Sequence, residues 1–263
     1  VTPVTLSTQP PEVFGGLHLG LLGLTAMLSI LVLWAARRAR GSDALDRVLR
    51  ASGWVLLGCS VLYSVWLLLP GNWHVADSLP LHYSDALRFV TAVALIWRVK
   101  WAVMVSYFWG LTLNPQAVIT PHQTMLSTDP VQFTFYWGLH IAVWLAPLAL
   151  VWGAGHRPDW RGFGLAYSAA FAWAMLVMPI NAQLGTNYAF VNRPPDGASL
   201  VDFLGPWPVY LGWIGLMMAA VWAAMTWPWT RTRTRPRPRT RPARETDKDD
   251  AAPHQASSAL TSR

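Results

Sequence analysis

His82, Ser84, Asp85 and Arg88 fall within one short stretch whose surroundings are otherwise apolar. On a helix, His82, Asp85 and Arg88 (i, i+3, i+6) share one stripe. Imidazole, carboxylate and hydroxyl are the ingredients of base-activated nucleophilic chemistry, which needs the base within hydrogen-bond reach of the nucleophile. Ser84 and His82 are two residues apart and point to different sides of a helix. His140, from a later segment, is therefore the better base for Ser84, with Asp85 as the orienting group. No G-x-S-x-G turn accompanies the serine. His82, Asp85 and His140 could also ligate zinc, but their spacing does not match a zinc signature, and no metal and no cofactor is expected. The plain alternatives are a structural Asp85–Arg88 ion pair and a His140 that only joins two helices.

A second group of polar residues would surround a substrate: Arg88, Asn114, Gln116, Asn181, Asn187, Tyr188 and Arg193. His18 sits near the same depth. Gly185-Thr186-Asn187-Tyr188 opens a loop stiffened by Pro194-Pro195, and Gly205-Pro206-Trp207-Pro208 leads into the next apolar run. Turn chemistry accounts for both segments, and a lid over a pocket is the functional alternative.

The elements that must position these residues are apolar runs of membrane-spanning length, about 20 residues each. The runs are Phe14 to Ala36, Ala51 to Pro70, Leu79 to Trp97, Trp101 to Thr120, Val131 to Ala154, Gly162 to Asn181 and Trp207 to Thr230. They are continuously apolar, not alternating, which favours helices over barrel strands. The fold class expected is an all-α membrane protein, a seven-transmembrane helix bundle.

Charge placement orients it. Of the 20 Lys and Arg, all but Arg88 and Arg193 fall in the loops after runs one, three and five or in the C-terminal tail. Positive loops mark the cytoplasmic side, so the N-terminus lies outside and the C-terminus inside. Three stretches follow: a short extracytoplasmic N-terminus (1–13), a transmembrane domain (14–229) and an Arg/Pro-rich cytoplasmic tail (230–263). The tail from Thr230 onward has no Trp, Tyr, Phe, Ile or Val and is expected to be disordered near anionic lipid headgroups. It carries most of the +7 net charge, so the basic balance does not indicate nucleic acid, for which no folded reader or interleaved aromatics exist. One Cys among 263 residues excludes a disulfide scaffold. Many of the 17 Trp, including Trp34, Trp54, Trp97 and Trp101, stand at run ends as interfacial belts do. In this frame, His18, His82, Asp85, Arg88, Asn114, Gln116, His140 and Asn181 converge on the outer half of the bundle. Ionisable groups there usually face a cavity or a partner.

Leu79-Pro80-Leu81-His82 with Ser84-Asp85, Tyr107-Phe108-Trp109-Gly110, Gly138-Leu139-His140, Gly185-Thr186-Asn187-Tyr188, Gly197-Ala198-Ser199-Leu200 and Gly205-Pro206-Trp207-Pro208 occur in order. Together they resemble the YwaF-like family of bacterial integral membrane proteins, over roughly Phe14 to Trp229. The resemblance implies a multi-pass protein of the bacterial cytoplasmic membrane. That family is similar to a eukaryotic multi-pass acyltransferase that remodels phospholipids, which implies acyl-chain chemistry and membrane lipids as partners. The nucleophile there is a cysteine. Here the only Cys, Cys59, lies in the second run, and Ser84 stands where relatives often have Cys.

The function expected is thus a lipid acyltransferase or hydrolase, with His82, Ser84, Asp85 and His140 as its catalytic group. The alternatives are a transporter or receptor for a small polar or charged solute, and a non-catalytic membrane assembly factor.

Overall fold

The computed structural model describes residues 12–195 and 203–231, which are helical with no strand among them. The N-terminal residues, the Gly197–Leu200 motif and the basic tail lie outside the described residues. Eight α-helices follow in order: α1 (Gly16–Arg38), α2 (Asp43–Leu68), α3 (Tyr83–Trp97), α4 (Lys100–Thr112), α5 (Pro115–Ile119), α6 (Pro130–Leu148), α7 (Trp160–Leu184) and α8 (Val209–Arg231). A π turn, Ala149–Gly153, extends α6 past Pro147. Starts and stops follow local chemistry. The Ser42 hydroxyl accepts from the Leu45 N–H, Asp129 caps α6 just before Pro130, and Gly185 closes α7 at φ 68°, each a residue suited to its place.

Five helices are long and apolar enough to cross a membrane: α1, α2, α6 with its π turn, α7 and α8. Only 11% of the apolar stretch of α1 is buried in the protein, against 56% for α6. Leu17, Met27, Ile30, Val55, Leu62, Phe171 and Leu216 are all exposed. So large an apolar surface is stable only in lipid, so this is a membrane protein.

The third and fourth apolar runs differ from the expected pattern. Their helices, α3 and α4, have 15 and 13 residues, about 22 and 20 Å, short of the roughly 30 Å of a bilayer core. The third run starts with the non-helical Leu79–Leu81, and the fourth breaks at Asn114-Pro115 into the short α5. Both helices are inside the bundle. Every residue from Ala102 to Gly110 is buried, as are Leu87, Arg88, Thr91, Ala92, Ala94, Leu95 and Ile96. Their apolar runs are those of core helices.

Close backbone approach holds the centre together. A Cβ on Gly53 of α2 would stand 2.7 Å from Ile96 Cγ1 and 2.8 Å from Leu95 Cβ. A Cβ on Gly110 of α4 would stand 3.2 Å from the Val143 carbonyl oxygen of α6. Gly53→Val is expected to push α2 off α3 and lower stability by about 1–3 kcal/mol, the usual cost of overpacking. Thermal unfolding in micelles measures this, with Gly58→Val as control, since a Cβ at Gly58 meets nothing within 4 Å.

Arg98 ends α3 with left-handed backbone (φ 55°) and bonds the Asp46 carboxylate at 3.2 Å. Lys100 Nζ is 2.5 Å from Asp159 Oδ2, and a Cβ on Gly153 would collide with Ala36. The α1–α2, α3–α4 and α6–α7 connections therefore share one end of the bundle. His156 sits there half-buried. Burial pushes its imidazole below the usual value near 6.5; the Arg98 charge adds to this and Asp46 opposes it. A histidine held neutral in the folded state binds its proton more readily when unfolded. Stability is therefore expected to fall as pH drops through about 6.5 toward the folded-state value. His156→Gln should flatten that part of the pH–stability curve between pH 7.5 and 5.5.

Candidate functional site

The opposite end holds the polar residues. At the start of α3, His82 is the N-cap, and its backbone N–H donates to Asp85 Oδ2 at 3.1 Å. Asp85 Oδ1 accepts from Arg88 Nη1 at 2.7 Å. Arg88 Nη2 donates to Ser64 Oγ of α2 at 2.9 Å. Arg88 is only 4% exposed, and its Nε has no hydrogen-bond partner. Its guanidinium lies 5.4 Å from the ring centres of Tyr63 and Phe89. A buried guanidinium is tolerable because Asp85 neutralises it.

Ser84 stands at the second helical position, half-buried, with no hydrogen bond to its hydroxyl among the described residues. The Asp85 and Ala86 N–H groups bond the His82 carbonyl. The N–H groups of Tyr83 and Ser84 have no partner among the described residues. Free N–H groups at a helix start suit a developing oxyanion.

His140 of α6 meets Asn114 at the α4–α5 break. Asn114 Nδ2 donates to the His140 carbonyl at 3.0 Å, and Asn114 Oδ1 is 2.8 Å from His140 Nδ1. With the amide nitrogen committed to a carbonyl, Oδ1 must accept, so Nδ1 carries the proton. The lone pair of the neutral ring is then on Nε2, the atom a general base or a ligand uses. The ring of Tyr136 lies 4.5 Å from that of His140, and its hydroxyl donates to the Ala117 carbonyl at 2.8 Å. Arg88 and His82 lie within electrostatic reach of His140. They bracket Ser84 along α3.

The loop after α7 packs on the start of α3. Tyr188 is fully buried; its hydroxyl donates to the Val75 carbonyl at 2.6 Å and accepts from the Leu79 N–H at 2.9 Å. Burial pushes its phenol pKa up; the Leu79 N–H opposes this, and the charges of Asp77 and Asp85 add to it. The Ala189 N–H donates to His82 Nδ1 at 3.2 Å, so this ring accepts at Nδ1. Ala189 and Phe190 hold φ of 58° and 54°, a strained choice for residues with a Cβ.

The predicted residues thus divide. His82, Asp85 and Arg88 are linked at the start of α3, where the Tyr188 ring meets that of His82, while Asn114 and His140 pair with each other at the α4–α5 break. Asn181 Oδ1 accepts from the Tyr188 N–H and the Thr186 hydroxyl, and its Nδ2 donates to the Tyr188 carbonyl and Asn192 Oδ1. Asn187 likewise ties down the Asn192–Pro194 backbone. Both hold the loop in place. Gln116 and Arg193 are exposed. His18 is fully buried, bonded at Nδ1 by the Phe14 N–H and at Nε2 to the Val118 carbonyl. It ties α1 to α5. Among the described residues no three His, Cys, Asp or Glu side chains group as a metal site.

Sequence reasoning missed Ser64, Tyr63 and Tyr136. Ser60 and Ser64, one turn apart on α2 beside buried Tyr63, are the signal that could have found the first two.

A family model described as the TMEM164 family matches residues 13–226. The chain belongs to the TMEM164 family. The match runs from the turn before α1 nearly to the end of α8, so every residue around Ser84 and His140 lies within it. TMEM164 membership makes this a membrane protein of a recognised family, consistent with its exposed apolar helices. No curated protein and no solved structure matches the chain.

Proposed function

We propose that this TMEM164-family protein is a membrane-embedded enzyme that moves or hydrolyses acyl groups of phospholipids. The observation that carries the reading is the Asn114–His140 pair, which leaves the Nε2 lone pair of a half-buried imidazole free. His140 takes the proton of the Ser84 hydroxyl as Oγ attacks a lipid ester carbonyl. The Tyr83 and Ser84 N–H groups stabilise the oxyanion, and Asp85 and Arg88 fix the start of α3. The lyso-lipid leaves with the proton held by His140. A water or lipid hydroxyl then takes the acyl group from Ser84, passing its proton to His140, which returns it to the released Ser84 Oγ. The resemblance to YwaF-like proteins and, through them, to a phospholipid-remodelling acyltransferase points the same way. Purified protein incubated with a short-chain phospholipid should gain the mass of one acyl group on Ser84, and Ser84→Ala should not. Equal acylation of both forms would sink the role of Ser84.

The resemblance to YwaF-like proteins and the distribution of basic residues support a bacterial cytoplasmic membrane location, N-terminus outside and C-terminus inside. The α3–α4 hairpin either crosses the bilayer, giving seven spans, or turns back within it, giving five. Both counts are odd and leave the two ends on opposite sides. The basic α1–α2 and α6–α7 loops then face the cytoplasm and the α3–α4 turn points toward it, the Ser84–His140 site opens toward the outer leaflet, and the basic tail lies near anionic headgroups. A solute transporter or receptor has less support, because the charge of Arg88 is already matched by Asp85.

A further inference from the structure

The basic end of the bundle holds a depression of about 470 Å³ lined by Asp43, Asp46, Arg47, Arg50, Ala51 and Trp54. We propose that it is a binding site for the phosphodiester of an anionic membrane phospholipid. This inference rests on the membrane embedding alone and is independent of the acyl chemistry.

Helix length sets the depth of the site. α2 has 26 residues, about 39 Å, which exceeds a hydrocarbon core of about 30 Å. All its charges, Asp43, Asp46, Arg47 and Arg50, lie in the first eight residues, so this end occupies the headgroup layer. Asp43, Arg47, Arg50 and Trp54 follow one another at helical spacing along one face. Trp54 is exposed and meets Trp97 edge-on at 5.7 Å, a pair suited to the boundary between headgroups and tails. Below it, Val55 and Leu62, 65% and 62% exposed, continue down α2 as an apolar track for an acyl chain.

Charge selects the ligand. Arg98 already holds the Asp46 carboxylate. Arg47, Arg50 and Asp43 have no ion-pair partner among the described residues. The depression therefore keeps one uncompensated positive charge, on two side chains whose forked N–H groups match phosphate oxygens. A zwitterionic lipid would cancel this charge less well than an anionic one.

The test uses the full chain purified in detergent micelles, with native mass spectrometry counting retained phosphatidylglycerol. R47Q/R50Q should lose retention by roughly 10- to 30-fold, the effect of two basic side chains at a lipid surface. Arg157→Gln, an exposed arginine of the α6–α7 connection outside the depression, should retain as much as the unmodified chain. Should the double variant fail to fold, R50Q alone should lose several-fold while keeping its helical circular dichroism. Undiminished retention in R47Q/R50Q, or in R50Q where that variant stands in, overturns the proposal. So does an equal loss in Arg157→Gln, which would mark general charge attraction. Displacement of the lipid by millimolar inorganic phosphate would reassign the site to free phosphate and also overturn it.

Discussion

His140→Ala is expected to lower the rate of acyl release from bilayer phospholipid by about 10²- to 10⁴-fold, the usual contribution of a positioned general base. The expectation follows from the hydrogen-bond pattern. Asn114 gives its nitrogen to one carbonyl and its oxygen to Nδ1, which leaves Nε2 as the base. His140→Gln fills a similar volume but lacks that base, so it should be as inactive as alanine. Asn114→Ala should act through His140, lowering kcat while KM holds, because substrate binding does not need the amide. A His140→Ala enzyme within threefold of the unmodified rate would remove His140 from the chemistry.

Asp85→Ala should have the largest effect on stability, about 3–5 kcal/mol, the cost of leaving one half of a buried ion pair uncompensated. Arg88 is 4% exposed and its Nε already lacks a partner, so it has no other carboxylate to turn to. The His82 N–H loses its acceptor as well, ending the cap of α3. Removing both charges, Asp85→Ala with Arg88→Met, should recover most of the loss, since a matched apolar replacement of a buried pair is often neutral or better. Chemical denaturation in mixed micelles measures all three. A loss below about 1 kcal/mol for Asp85→Ala would mean that water reaches Arg88.

The long helices were legible in the sequence because their runs are apolar all round. The same signal does not tell whether Leu79–Trp97 and Trp101–Thr120, whose helices are short and largely buried, cross the membrane. An apolar run that packs inside protein reads the same as one that faces lipid, and only length and neighbours separate them. Helix α3 starts only at Tyr83, and the preceding segment is held in turns, with Tyr188, more than 100 residues away, bonding the Val75 carbonyl and the Leu79 N–H. Charge placement is what suggests, from sequence, that the polar residues share one end of the bundle. Their pairing was not legible: Asn114 and His140 are separated by α5 and a 3₁₀ turn, and nothing in their spacing predicts contact. Asn181 and Asn187 resemble cavity residues in sequence yet staple a loop, since short amides beside turns bond nearby backbone first.

The central claim is acyl chemistry on membrane lipids carried by His140. Its most direct test is the lipid profile of cells lacking the chain, complemented with either the unmodified or the His140→Ala form at equal membrane levels. The account predicts that the deletion shifts phospholipid acyl composition, that the unmodified chain restores it, and that His140→Ala leaves it as in the deletion. Full restoration by His140→Ala, or no shift on deletion, would contradict it.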